Sequence, residues 1–431
     1  MNERQYEEWK SCPLDVETLA KHSVRSASKA AQMVADTRGI KCRISSDLAQ
    51  IPFSFSSLEN LKVDDTPTIG WGDLSGFFQA SDGWVRLHGN YDHHATAIAS
   101  TFKIKSKEEL RKILPTISKY EIEESIIDRG GIASAVREVG EWQRHPQGIV
   151  AASTPWVELD LEPQSAEIYQ TKNPSLPLEG IRVLDLTRVI AGPTCTQLLA
   201  CLGAEVLRID PPALPELRDQ YISNGMGKKS AVVDLYIHKE LIHKLLPKTH
   251  ILVMGYTPRS LDKFGLSIEG LRHRYPNLLI ASLSAWGDSG PWGSRAGFDS
   301  IVQAATGISE LCSKSNPLEG GIPGALPVQA LDHSTGFILA KYILESLAHH
   351  KSGVIKTSLL GAARALISMN NRQPSHDKFE SFTHKNISLI HSPYGKLSMP
   401  SIPITFNGIY LKGKIVKYGS SLPMWSSLEV S

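Results

Sequence analysis

The sequence predicts an α/β protein: a Rossmann-like parallel-sheet large domain plus a smaller α+β domain placed first in the chain. Three observations predict it. From Leu178 onward, short apolar runs alternate with helical stretches, the pattern of parallel strands joined by crossover helices. Earlier, Gly76-Phe77-Phe78 and Gly83–His88 flank the turn Ser81-Asp82-Gly83, a hairpin signal followed by helical segments. With 431 residues, the chain is long enough to bury two cores.

Taken in order, residues 1–75 form a mixed segment. A helix is expected over Val16–Thr37, then a polar connection through Thr66-Pro67. Residues 76–164 form the small α+β domain, with helices near 92–103, 106–118 and 120–128. Residues 165–177, ending in Pro174 and Pro177, read as a linker. Residues 178–370 form the large domain. Ile181–Leu186 is its first strand; Pro193 suits a first helical position, and Gly203 suits a C-cap. Strands follow at Glu205–Ile209, His250–Met254 and Leu278–Leu283, and Phe337–Ala348 reads as a long helix. Residues 371–431, rich in Pro, Ser and Gly, are expected to be an extended tail packed over the rest.

Composition narrows the function. Hydrophobic residues make up 41%, charged residues 21%, and the net charge is +2. That excess argues for neither nucleic acid nor an anionic membrane as partner. The five cysteines (Cys12, Cys42, Cys195, Cys201, Cys312) are scattered and contain no C-x-x-C pair. A disulfide framework and a structural zinc site are not expected, and a reducing compartment fits. The first residues, MNERQYEEWKSCPLD, lack an apolar stretch, so no signal peptide is expected. No run approaches the roughly 18–20 apolar residues of a membrane helix. An intracellular protein, cytoplasmic by default, is the expectation.

The strand–turn–helix at 181–203 invites a dinucleotide reading, which needs three glycines where the backbone meets a pyrophosphate. The turn Thr187–Pro193 has one, so NAD is not expected. His88-Gly89-Asn90-Tyr91-Asp92-His93-His94 offers metal-type side chains, but a polar turn at a strand end is the simpler reading, and no metal is expected. Asp332 is preceded by small and apolar residues and followed by His333-Ser334-Thr335-Gly336, just before the expected helix. A helix N-terminus favours an ionised carboxylate by roughly 0.3–1 kcal/mol. The bland reading of such an aspartate is a helix N-cap.

Several segments, in order, carry a resemblance. They are LEGIRVLDLTRVIAGPTCTQLLACLGAEVLRIDPP, Gly227–Leu235 (GKKSAVVDL), Val253–Gly265 (VMGYTPRSLDKFG), Ser282–Gly290 with Gly297-Phe298-Asp299, and Gly324–Gly336 (GALPVQALDHSTG). Together this series resembles the large domain of family III CoA-transferases, the CaiB/BaiF family, and implies their fold. The resemblance implies coenzyme A as co-substrate, carried in as an acyl-CoA, with a carboxylic acid as partner. It places the catalytic carboxylate on Asp332, which would form an aspartyl anhydride and then an aspartyl-CoA thioester. It puts backbone contacts to CoA at Val189, Ile190 and Ala191, and an aromatic and a basic contact at Tyr256 and Lys263. Lys228 and Lys229 fall where phosphate contacts are expected, and Phe298 and Asp299 fall at the acyl site. Racemases of the same superfamily carry a histidine where this chain has Phe298. Phenylalanine cannot move a proton, which speaks against racemase chemistry. A racemase-like α-proton enzyme and a non-catalytic acyl-CoA-binding homologue stay open as alternatives.

Two departures stand out. Pro211 and Pro212 replace arginines that some members carry, and Gly255 replaces a common asparagine. Asp82–Leu87 (DGWVRL) and Glu141–Gly148 (EWQRHPQG) resemble the family's small domain, but here they precede the large one. The order therefore looks permuted or fused. The family's glycine-rich loop has no clear counterpart, with Gly130-Gly131 a weak candidate. The resemblance also implies an intertwined homodimer whose tail wraps the partner.

Overall fold

The computed structural model describes residues 3–68, 70–164, 173–314, 321–369 and 386–426. Parts of the expected linker (165–172) and tail (371–385 and 427–431) lie outside the described residues. At the centre is a seven-stranded sheet: β1 (Val157–Pro163), β2 (Arg182–Leu186), β3 (Glu205–Asp210), β4 (Lys228–Val232), β5 (Ile251–Met254), β6 (Leu279–Ser284) and β7 (Lys351–Ser358). Their spatial order is β4-β3-β2-β5-β6-β7-β1. The pairs from β4 to β7 are parallel, and β1 runs antiparallel along β7. Leu184, Leu207, Leu252 and Ile280 are fully buried, because helices cover both faces of a parallel sheet. The chain leaves β2 toward β3 and β4, then crosses back to β5 on its other side. Ligand crevices open at such a reversal, beyond the strand C-termini.

The expected strands fall within a residue or two of the observed ones, and the structure moves three other features. Val157–Pro163, expected within the small domain, is β1 of the large sheet. The helix after β2 is Ala191–Cys201, so Pro193 is its third residue, not its first. It still tolerates proline, because the first-turn N–H groups have no partner inside the helix. The long helix begins at Ala330 and not at Phe337. Asp332 therefore lies inside the first helical turn.

The hairpin Gly76–Ala80 with Gly83–Leu87 forms as expected, and Ala133–Ala135 adds a third strand. Helices Asp92–Phe102, Lys107–Ile113 and Lys119–Ile127 pack on this sheet around Phe78, Val85, Ile98, Leu110 and Ile122. The unit leans on the Asp299–Thr306 helix, where the Arg137 N–H donates to the Ala304 carbonyl at 3.0 Å. This contact brings β-hairpin residues from the first quarter of the chain against the site described below.

Helix Val16–Thr37 runs along Ala330–Ala348, burying Leu19, Val24, Ala27 and Ala31. Small residues there allow close helix approach. The described part of the tail packs on the N-terminal segment and on the large sheet. Gly395–Pro400 pairs with Lys62–Val63, and Ile404–Phe406 pairs with Ile44–Ser46. The Ser421 N–H reaches the Ser230 carbonyl on β4 at 2.7 Å, and Trp425 is buried with its Nε1–H on the Leu245 carbonyl. Strands of the tail thus pair with strands from the chain's first 67 residues.

Candidate active site

Asp332 is 5% exposed and sits in the first turn of Ala330–Ala348, where helix N–H groups lack intrahelical acceptors. The residue that caps this turn is Asp299. Its Oδ2 accepts the Asp332 N–H at 3.0 Å, while Gln329 at the N-cap makes no side-chain cap bond. The bland reading of Asp332 as an N-cap is therefore replaced: Asp299 caps, and the Asp332 carboxyl stays free of that duty. Gln303, one turn along from Asp299, donates Nε2–H to Asp299 Oδ1 and accepts the Leu326 N–H at 2.9 Å. Burial pushes the Asp299 carboxyl up to about 6, opposed by the hydrogen bonds from Asp332 and Gln303. Burial, with the Asp299 charge added, raises Asp332 well above the carboxylate range.

The turn after β2 is strained. Val189 has φ +69°, a conformation that a β-branched residue adopts only under constraint. Both of its peptide groups are held. Its N–H donates to Glu216 Oε2 at 2.9 Å, and its carbonyl accepts Gln220 Nε2–H at 3.0 Å. Glu216, fully buried in its side chain, also accepts from Arg208 at 2.9 Å and from the Tyr91 hydroxyl at 2.5 Å. Arg208 is forked onto Asp210, and Lys228 pairs with Asp185 at 3.2 Å. Two buried cations, joined by the part-buried Arg188 3.9 Å from Glu216, thus face three buried acids beneath the turn. Glu216 holds the strained turn and the small unit's Tyr91 in one grip.

Above this network lies a pocket of about 230 Å³ at the C-terminal ends of β2, β5 and β6. It gathers the expected residues Val189, Ala191, Tyr256, Phe298 and Asp332. Ile190 is buried at the start of the following helix, and Asp299 lies directly behind Asp332. Lys228 and Lys229 are not brought there. Lys228 points into the sheet onto Asp185 and the Pro193 carbonyl, and Lys229 is bound by Glu205 and Ser426. Adjacent strand residues face opposite sides, and neither side is the pocket. Lys263 lies apart, its Nζ on the Tyr236 hydroxyl at 2.5 Å. Tyr256 also lines a second groove of about 580 Å³ with Arg259, Ser267 and Lys356. Gly130-Gly131 closes the Lys119–Ile127 helix, outside the pocket.

Sequence reasoning missed Tyr91, His93, His94 and Arg188, which complete the lining. The histidine-rich stretch offers metal-type side chains or a polar turn in the sequence, and neither reading points to this pocket. His88 stacks on Phe298 at 4.0 Å and 12°, and the His94 ring lies 5.7 Å from Phe298. Burial drives both imidazoles down to about 3, so they are neutral. Among the described residues, no group of three or more His, Cys, Asp or Glu is placed to hold a metal, and no helix is long and apolar enough to cross a membrane.

The fold and pocket define an α/β protein with a buried carboxylate at the crevice of its parallel sheet. Residues 178–389, just under half of the chain, match the family model of CoA-transferase family III, and this segment resembles that family. A Mycobacterium tuberculosis protein named as a probable fatty acyl-CoA transferase, Rv3272, is 36% identical over 196 residues, covering 42% of this chain and 49% of that one. Homo sapiens succinyl-CoA:glutarate CoA-transferase is 31% identical over 210 residues, covering 44% and 47%. The crystal structure of Rv3272 aligns at 35% identity over 47% of this chain and 60% of that chain, with a TM-score of 0.41. The chain spans about half the length of these curated relatives.

Proposed function

We propose that this chain moves coenzyme A from an acyl-CoA to a carboxylic acid, with Asp332 as the nucleophile. Ionised Asp332 attacks the thioester carbonyl and expels CoA thiolate, leaving a mixed anhydride. The thiolate then attacks the aspartyl carbonyl, releasing the first acid and leaving an aspartyl-CoA thioester. The acceptor carboxylate attacks that thioester, and the returning thiolate takes the new acyl group and frees Asp332. The observation that carries the proposal is the placement of Asp332 on one pocket with Val189, Ala191 and Tyr256. The strand order supports a Rossmann-like binding domain, with the acyl-CoA lying across the ends of β2 and β5. The groove shared by Tyr256 suits the nucleotide end.

The Asp332–Asp299 arrangement has a chemical use. Two carboxyls in one buried corner do not both ionise. In the singly charged pair the charge rests first on Asp299, the lower-titrating carboxyl, and the reactive form is the one in which it has passed to Asp332 with the proton on Asp299. The small unit (76–156, without β1) and the sheet domain form the two halves of the site in this proposal, and a homodimer is its expected assembly. Intact-protein mass spectrometry with a panel of acyl-CoAs and hydroxylamine trapping tests it. A modification on Asp332 that is absent from Asp332→Ala is the expected result.

A second reading is favoured by one observation: His94 lines the pocket that Asp332 lines. A neutral imidazole and a carboxyl on one cavity suit α-proton exchange. That reading predicts deuterium uptake by the acyl chain in heavy water with no trapped acyl-enzyme.

A further inference from the structure

Arg86 is a buried cation that no acid pairs directly. It lies in the second hairpin strand, Gly83–Leu87, and is 8% exposed. Among the described residues no carboxylate forms an ion pair with its guanidinium, and its buried Nε–H has no hydrogen-bond partner. Instead it lies over the rings of Trp71 and Phe77, 4.9 Å from each centre. Aromatic faces attract a cation but cancel none of its charge. Burial pulls the guanidinium down only to about 10, so it stays charged at neutral pH. A buried charge without a direct partner is costly, and an apolar side chain would fill the same slot more cheaply.

The strand shows where this charge is aimed. Side chains two apart on a strand leave it on the same face. The pairing that sets Arg86 opposite Ser134 continues with the His88 N–H on the Ile132 carbonyl at 3.1 Å. His88 marks where that face lands, because its ring stacks on Phe298 at 4.0 Å. Asp299 is the next residue, opens the Asp299–Thr306 helix and caps Asp332. The cation acting on Asp299 is Arg86. The imidazoles around the acid pair bring no charge to it. His88 from the hairpin, His94 from the Asp92–Phe102 helix and His333 from the Asp332 helix are all driven down to about 3 by burial. Arg188 lines the pocket, but Glu216 lies 3.9 Å from it and the Pro215 carbonyl holds it at 2.9 Å.

We propose that Arg86 is a positioning residue for the Asp299–Asp332 pair: its buried charge offsets the one negative charge that the two carboxyls share, and so holds the pair singly ionised. The small unit thereby supplies the countercharge to a nucleophile carried by the sheet domain. What this does for turnover rests on the CoA-transfer reading; the link between Arg86 and the pair does not.

Carbon-13 NMR of the full chain labelled at its aspartate carboxyls, titrated without substrate, reads the pair directly. Asp299→Asn and Asp332→Asn assign the signals. In Arg86→Met, which keeps an apolar stem between the rings, the first ionisation is expected about one pH unit higher, a tenfold loss of acidity. Arg86→Lys, which keeps the charge, is expected to restore the wild-type midpoint. An unshifted midpoint in folded Arg86→Met overturns the proposal, and so does Arg86→Lys titrating like Arg86→Met. If Arg86→Met does not fold, its double variant with Asp299→Asn decides. Recovery of the fold is expected, because the unbalanced carboxylate has gone, and no recovery overturns the proposal. Hydroxylamine trapping on the same preparations separates the two readings. A shifted midpoint with no trapped species at Asp332 of the wild type overturns the transfer reading and leaves the role of Arg86 standing. Trapping with an unshifted midpoint does the reverse.

Discussion

The backbone N–H of Asp332 donates to Oδ2 of Asp299 across 3.0 Å, so one acid caps the helix turn that presents the other. Both carboxyls are buried, and both titrate above their ordinary range. This relationship links the stability of the site to its reactivity.

A carboxyl whose pKa is raised on folding binds its proton more tightly in the native state. Its contribution to stability is present below the unfolded value and is lost as pH rises toward the folded one. For Asp299 that window runs from the ordinary 3.8 to about 6; for Asp332 it extends higher. Asp332→Asn, which removes the ionisation, is expected to raise Tm by a few degrees at pH 7 and to leave it unchanged near pH 3. Thermal melts at both values check this. Transfer activity, which needs the singly ionised pair, is expected to rise with pH through the same window and to vanish in the variant.

Gln303 satisfies Asp299 with its amide N–H and Leu326 with its amide oxygen. Gln303→Leu takes the Gln303 donor from Asp299 Oδ1 and the acceptor from the buried Leu326 N–H, and is expected to cost about 1–3 kcal/mol in urea unfolding. Without that donor, Asp299 titrates still higher, so the acid limb of the activity profile is expected to move to higher pH.

Glu216 holds Val189 in its left-handed conformation and also binds Arg208 and Tyr91. Glu216→Gln is expected to cost about 3 kcal/mol, the lower end for breaking a buried pair, because Asp210 still balances Arg208. Tyr91→Phe removes a single hydroxyl and is expected to cost about 1–2 kcal/mol. Chemical denaturation gives both values. Equilibrium binding of CoA is expected to weaken more in Glu216→Gln, since only that variant releases the Val189 turn.

Gly336 lies where the Asp332 helix crosses the start of Ala191–Cys201. A Cβ there would sit 2.5 Å from the Ala191 carbonyl oxygen and 2.8 Å from Thr194 Cβ. Gly336→Ala is expected to cost about 1–3 kcal/mol by overpacking. It should also lower kcat, because the helix that must shift carries Asp332, the proposed nucleophile. Urea unfolding with steady-state kinetics on the same preparation checks both effects.

The sequence was most legible where one local pattern decides the outcome. Apolar runs such as Val183-Leu184 and Leu279-Ile280 are long enough to mark buried parallel strands, and Asp332 lies in a segment with a specific resemblance. Tyr91, His94 and Glu216 were not legible, because nothing local ties a histidine in the first quarter of the chain to an aspartate at 332. Only the packing of the hairpin unit on the Asp299–Thr306 helix does that. Lys228-Lys229 shows the opposite failure. A basic pair suggests phosphate, but a strand turns one lysine into the sheet and the other onto Glu205. Which face each takes depends on a register that the residues themselves do not print.

The central claim is that Asp332 becomes covalently activated. The most direct test is intact mass and peptide mapping of the wild-type chain after mixing with a panel of acyl-CoAs and quenching with hydroxylamine. The account predicts a hydroxamate on Asp332, absent from Asp332→Ala. An unmodified Asp332 in a protein that still binds CoA would contradict it.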